Sequence, residues 1–233
     1  FELHSSGDSR VFLTARIALA SVTSFLIAIL LGPFAIRWLK KRFPERVDSA
    51  SSRLNELQSR KNNTPTMGGL FVIGAVVLAS LLWGDLSSRY VQLALFVVIS
   101  FATLGAIDDW IKLRSGRNGL GIRQKLAAQL ALSFLVGLFL YWEHLDKPDG
   151  LMLIWPIGNA GLWLGAGFIL WCMVVTVGSS NAVNLTDGLD GLAGGCTIFA
   201  GSAFVALAYL AGHRILADYL SIPFIAGAGE LAV

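Results

Sequence analysis

The chain has 233 residues, of which 55% are hydrophobic and only 14% charged, with a mean hydropathy of +0.67. Soluble domains carry roughly 25% charged residues, so a protein facing water on all sides is excluded. The formal net charge of +3 gives no reason to expect nucleic acid as a partner. Cys172 and Cys196 form no C-x-x-C pair, so they indicate neither a metal site nor a disulfide framework and are read as packing residues.

Six apolar runs approach the roughly 20 residues that a helix needs to cross a bilayer: Val11–Leu39, Met67–Gly84, Tyr90–Ile107, Lys125–Trp142, Gly161–Gly178 and Leu192–Ala211. A seventh begins near Pro223. Each must be helical, because an open strand would leave backbone groups unpaired in lipid. The expected fold class is all-α, a polytopic transmembrane helix bundle forming a single integral membrane domain over residues 1–233. Leu151–Pro156 is apolar but too short to cross, and Pro156-Ile157-Gly158-Asn159 is a turn signal, so a small hairpin or interfacial segment is expected there. The chain opens on Phe1 and stops inside an apolar run, which reads as part of a longer protein.

Loop charge sets the expected orientation. Lys40, Lys41, Arg42, Arg46, Arg53, Arg60 and Lys61 lie between the first two runs, and Lys112, Arg114, Arg117, Arg123 and Lys125 between the third and fourth. The alternate loops carry one cation each, Arg89, Lys147 and Arg214. Basic residues are retained in the cytoplasm, which places the amino terminus outside.

Three polar clusters fall on the expected cytoplasmic side. After the fifth run, Asn181, Asn184, Asp187 and Asp190 recur every third residue through NAVNLTDGLDGLA, with Gly188 directly after Asp187 and Gly191 directly after Asp190. On a helix such steps keep neighbours on one face, and the glycines let a ligand approach the backbone. At the end of the third run stands Asp108-Asp109-Trp110-Ile111-Lys112. Acids at a membrane edge are costly and usually functional, although Asp108 and Lys112 could also form only a helix-stabilising pair. Before the second run, Lys61 to Gly69 reads KNNTPTMGG, in isolation a capped turn into a helix. With no glycine-rich phosphate loop in the sequence, phosphate would be held by metal, lysines and helix ends.

Thr64–Gly69, Asp108-Asp109-x-x-Lys112, Gly119-Leu120 followed by Lys125, Asn181–Ala193 and Ala228-Gly229-Glu230-Leu231 together resemble the phospho-N-acetylmuramoyl-pentapeptide transferase family, the lipid I synthases, over essentially the whole chain. The resemblance implies ten transmembrane helices in the full-length protein, residence in the bacterial cytoplasmic (inner) membrane, and a Mg²⁺-dependent site facing the cytoplasm. It implies the substrates UDP-N-acetylmuramoyl-pentapeptide and undecaprenyl phosphate and the products lipid I and UMP. By motif position the functional residues are Lys61, Thr66, Asp108, Asp109, Lys112, Lys125, Asn184, Asp187 and Asp190, with Gly188 and Leu189 near the uridine.

Asp108, Asp109 and Asp187 are the expected catalytic residues. Asp187 and Asp190 are the expected Mg²⁺ ligands, and Lys61, Lys112 and Lys125 would screen phosphates. Asp108 could deprotonate the lipid phosphate for direct attack, or an Asp could attack first and form a covalent intermediate. Expected partners are both substrates and the lipid bilayer, with a homodimer left open. The rival readings are a relative using UDP-N-acetylglucosamine and a transporter. The chain departs from the family at Asn63, where glycine is usual, and in lacking D-G-P-x-x-H, F-M-G-D and His-His-His segments. The chain by itself is therefore expected to be inactive.

Overall fold

The computed structural model describes residues 13–42, 67–115, 119–155, 160–189 and 191–233. Helices dominate: α1 (Leu13–Arg42), α2 (Gly68–Trp83), α3 (Arg89–Ser115), α4 (Ile122–His144), α5 (Gly167–Thr186), α6 (Leu192–Ala211) and the short α7 (Arg214–Tyr219). Between α4 and α5 lies a two-stranded antiparallel hairpin, β1 (Met152–Ile154) and β2 (Gly161–Trp163), with Leu153 opposite Leu162. The hairpin satisfies its own backbone, as the short apolar segment required.

Five helices, α1, α3, α4, α5 and α6, are long and apolar enough to span a membrane. The second expected span, α2, is helical and apolar but has 16 residues. At 1.5 Å per residue it is about 24 Å long, short of the roughly 30 Å hydrocarbon layer. The fifth span needs a larger correction. It starts at Gly167 rather than Gly161 and runs on to Thr186, because Gly161–Trp163 pairs as a strand and the helix absorbs Asn181 and Asn184. Near Pro223, where a seventh run is expected to begin, the residues form turns and a short 3₁₀ segment, Ala228–Ala232, in which Ala228, Gly229, Glu230 and Ala232 are buried.

The chain divides into two compact units. The smaller comprises Thr14–Gly84 and Val98–Gly121, with Val233. In it α1 and α2 are latched by polar contacts that the expected apolar runs did not reveal. Buried Arg16 donates from Nε to the carbonyl of Trp83 at 2.6 Å, and Trp83 Nε1 donates to Thr23 Oγ1 at 3.0 Å. An arginine within an apolar helix is costly unless paired, and the terminal carbonyls of α2 are the negative end of a helix dipole.

The larger unit comprises Asp85–Val97 and Ile122–Ala232, with Leu13. Here α4 packs along α5, α5 touches α6, and α6 packs on α7 and the 3₁₀ segment. Gly137 makes the α4–α5 approach possible: a Cβ there would lie 3.1 Å from the Ile169 carbonyl and 3.2 Å from Cys172 Cβ. Small residues serve this purpose between membrane helices. Cys172 thus packs as expected, whereas Cys196 is exposed on α6. At the junction of α3 and α4, Glu143 binds Arg89 at 2.7 Å and Lys147 at 3.1 Å. Lys147 also donates to Tyr90 Oη, which lies 3.1 Å from His144 Nε2. Burial works against the charge of Lys147, but its hydrogen bonds to Tyr90 and Glu143 outweigh it and hold the ammonium above the ordinary lysine value.

Candidate active site

In the smaller unit, α3 continues past its apolar run to Ser115, carrying both acids and Lys112 on its last turns. Spacing then brings three charges together. Lys112 Nζ lies 2.8 Å from Asp108 Oδ2, its i, i+4 partner, and 3.0 Å from Asp109 Oδ1. The two acids differ in setting. Asp108 is buried at 8% exposure, and its other oxygen accepts the Leu120 backbone N–H at 2.8 Å. Asp109 is half-buried, and its side chain keeps more exposure than that of Asp108. The chain can fold over Asp108 only because position 119 is glycine. Its φ is +91°, and a Cβ would stand 2.6 Å from Asp108 Oδ1 and 2.9 Å from Lys112 Cε. The helix-pair reading of Asp108 and Lys112 is therefore correct as geometry, and the same contacts fix a lysine between two carboxylates at a helix end.

In the larger unit, the antiparallel pair α4 and α5 is knitted by carboxamides. Asn181 Nδ2 donates to Gln129 Oε1 at 3.0 Å, and Gln129 Nε2 donates to Ser180 Oγ at 3.2 Å. Gln129 is 3% exposed, and Ser133, fully buried, donates to the Gln129 carbonyl at 2.7 Å. This pairing of Gln129 with Ser180 and Asn181 sets the register of the two helices. Helix periodicity puts Lys125 one turn before Gln129 and Asn184 one turn after Asn181. Lys125 is half-buried, Asn184 and Asp187 are exposed, and none of the three side chains has a partner among the described residues.

The four-residue polar series thus divides. Asn181 holds α5 to α4, Asn184 occupies the last turn, and Asp187 is the C-cap residue, its N–H bonded to the Val183 carbonyl at 3.2 Å. Asp190, expected beside it, lies outside the described residues, as do Lys61 and Thr66. Gly188 and Leu189 form the exposed turn between α5 and α6. Leu185 and Leu189, interleaved with the polar residues, are 83% and 69% exposed. Gln129 and Arg16 were missed in the sequence reading, although a lone polar residue inside an apolar run is itself a signal.

The donor chemistry of Asp187 fits Mg²⁺, a hard cation that takes carboxylate oxygens, keeps several waters and completes its shell with substrate phosphate. Among the described residues no three His, Cys, Asp or Glu side chains converge.

A helical chain with five helices able to span a bilayer, bearing carboxylates, carboxamides and lysines at helix ends, is an integral membrane protein of the polytopic class. The chain belongs to glycosyl transferase family 4, whose model matches residues 91–231, more than half its length. Residues 61–73 match phospho-N-acetylmuramoyl-pentapeptide-transferase signature 1. Three proteins of that name are similar to it. The one from Pelobacter propionicus is 38% identical over 98% of this chain and 64% of its own length. That from Desulfotalea psychrophila is 39% identical over 95% and 61%. That from Thermodesulfovibrio yellowstonii is 40% identical over 95% and 61%. The chain spans a little under two thirds of the length of these curated relatives.

Proposed function

We propose that this chain forms part of a phosphotransferase that moves phospho-N-acetylmuramoyl-pentapeptide from UDP to undecaprenyl phosphate, giving lipid I and UMP for peptidoglycan synthesis. The observation that carries the reading is the set Lys125, Asn184 and Asp187 at one end of the α4–α5 pair, whose side chains have no partner among the described residues. Its support is the run of relatives bearing that name, at 38–40% identity for the three above. The site faces the cytoplasm of the inner membrane, because α4, whose start carries Lys125, is entered from the loop that holds Lys112, Arg114, Arg117 and Arg123.

In this reading an oxygen of the lipid phosphate attacks the β-phosphorus of the nucleotide. The bond from that phosphorus to the bridging oxygen breaks, and UMP leaves. One phosphoanhydride replaces another, so the protein's task is alignment and charge neutralisation. Lys125, without a partner among the described residues, meets phosphate, and Lys112 offers an ammonium fixed at 2.8 and 3.0 Å between Asp108 and Asp109. A phosphate monoester has a second pKa near 6, so little proton removal is needed before attack. Asp108, with both oxygens engaged, then acts by positioning Lys112, and Asp109, the more accessible acid, stands nearer the substrate. Lys61 and Thr66 contribute from the first loop, and Asn184, Gly188 and Leu189 contact the nucleotide. Asp187 and Asp190 would hold Mg²⁺, which when bound neutralises charge on the diphosphate.

The test is a donor swap in membranes containing the protein expressed from its complete reading frame. UMP release that requires UDP-N-acetylmuramoyl-pentapeptide and undecaprenyl phosphate is expected. Release from UDP-N-acetylglucosamine in its place would reassign the donor.

A further inference from the structure

We propose that the smaller unit carries a seat for an anionic phospholipid of the surrounding bilayer, between the end of α1, the start of α2 and the end of α3. A cavity of about 620 Å³ lies there, lined among others by Trp38, Leu39, Met67, Phe71, Ile107 and Trp110. Its volume is in the range of specific small-molecule sites. Its lining suits hydrocarbon and not peptide. Thr103, the hydroxyl-bearing residue of the wall, spends its Oγ1 on the Ile99 carbonyl at 2.7 Å. A peptide backbone laid in this groove would lose its water without gaining partners, at a cost of kilocalories per group.

Charge selects the kind of lipid. The helix ends that border the cavity carry exposed Lys40, Lys41 and Arg42 directly after Trp38 and Leu39. On α3 the Arg114 guanidinium lies 4.7 Å from the ring centroid of Trp110, a residue of the wall. Lys112 is balanced by Asp108 and Asp109, which leaves these other cations uncompensated at the mouth by any ion pair among the described residues. Trp38 is 60% exposed and Trp110 43%. Tryptophan at a helix end marks the headgroup level of a membrane, so the acyl-sized cavity opens where a phosphate headgroup would sit. Basic pockets between transmembrane helices bind anionic headgroups in this way. The inference concerns a bilayer lipid and stands whether or not the transfer reaction holds.

The experiment titrates the full protein in neutral detergent with phosphatidylglycerol or phosphatidylcholine brominated on the acyl chains, at low ionic strength, and reads tryptophan quenching. Phosphatidylglycerol is expected to quench at several-fold lower concentration. Lys41→Gln and Arg114→Gln should each reduce that preference by about fivefold, given about 1 kcal/mol per surface cation. Trp38→Phe with Trp110→Phe should remove the selective part of the quenching. Lys41 and Arg114 are exposed, so the charge changes leave the fold intact. Equal quenching by both lipids would overturn the proposal, as would selective quenching that survives removal of the two tryptophans. Displacement of phosphatidylglycerol by an equimolar polyprenyl phosphate would also overturn it, by giving the cavity to the acceptor lipid.

Discussion

Two neighbouring aspartates with the same lysine do different work. Asp108 is buried between Lys112 and the Leu120 amide, whereas Asp109 meets Lys112 from a more open position. Removing Asp108 leaves the part-buried Leu120 N–H without its acceptor, at a cost of about 1–3 kcal/mol, whereas an exposed pair is worth at most about 1 kcal/mol. Asp108→Ala is therefore expected to lower the unfolding free energy in detergent by about 2 kcal/mol. Asp109→Ala should cost about 1 kcal/mol or less. Equal losses in thermal or denaturant unfolding would contradict the division. Gly119→Ala introduces a Cβ 2.6 Å from Asp108 Oδ1 at a φ of +91°. The left-handed backbone alone costs an alanine about 1–2 kcal/mol, so this variant should be destabilised by at least that much. Hydrogen exchange at the Leu120 amide should rise with it.

At the scale of the element, the α4–α5 pair shows how a reactive end is held in register. Gln129, Ser180 and Asn181 bond across the helices, and Gly137 lets the backbones close. Interhelical hydrogen bonds in membranes average about 0.6 kcal/mol. A double-mutant cycle of Gln129→Leu with Asn181→Leu is expected to give a coupling of about that size. Additive effects would mean that the clasp seen here does not set the helix pair. The sequence made the helices legible because hydrocarbon allows little else. It misplaced the start of the fifth span because Gly161–Trp163 is as apolar as the helix that follows, and only pairing with Met152–Ile154 tells strand from span. It singled out Asp108, Asp109 and Lys112 through their position at the end of an apolar run, and Lys125 through the family resemblance. It did not find the Asn181–Gln129 contact, which joins residues 52 apart and has no local pattern. Nor could three-residue spacing show that Asn181 turns toward α4 while Asn184 and Asp187 stay exposed, since that depends on which helix packs alongside.

For the molecule as a whole, the distribution of lysine and arginine predicts an orientation for the helices. A reporter fused after Asn118 or Gly188 should read cytoplasmic, and one after Asp146 external. A cytoplasmic reading at Asp146 would move the proposed chemistry to the wrong side of the membrane for a nucleotide substrate. The central claim is that the acids at the ends of α3 and α5 serve phosphoryl transfer. It is tested most directly by the turnover of Asp109→Asn and Asp187→Asn in the protein expressed from its complete reading frame, with UMP release as the readout. Both substitutions keep side-chain shape and remove the charge, at half-buried and exposed positions where the fold does not depend on it. Each should lower kcat by on the order of 10² or more while the unfolding transition stays within about 1 kcal/mol of the parent. Wild-type turnover in both, with the fold intact, would contradict the account.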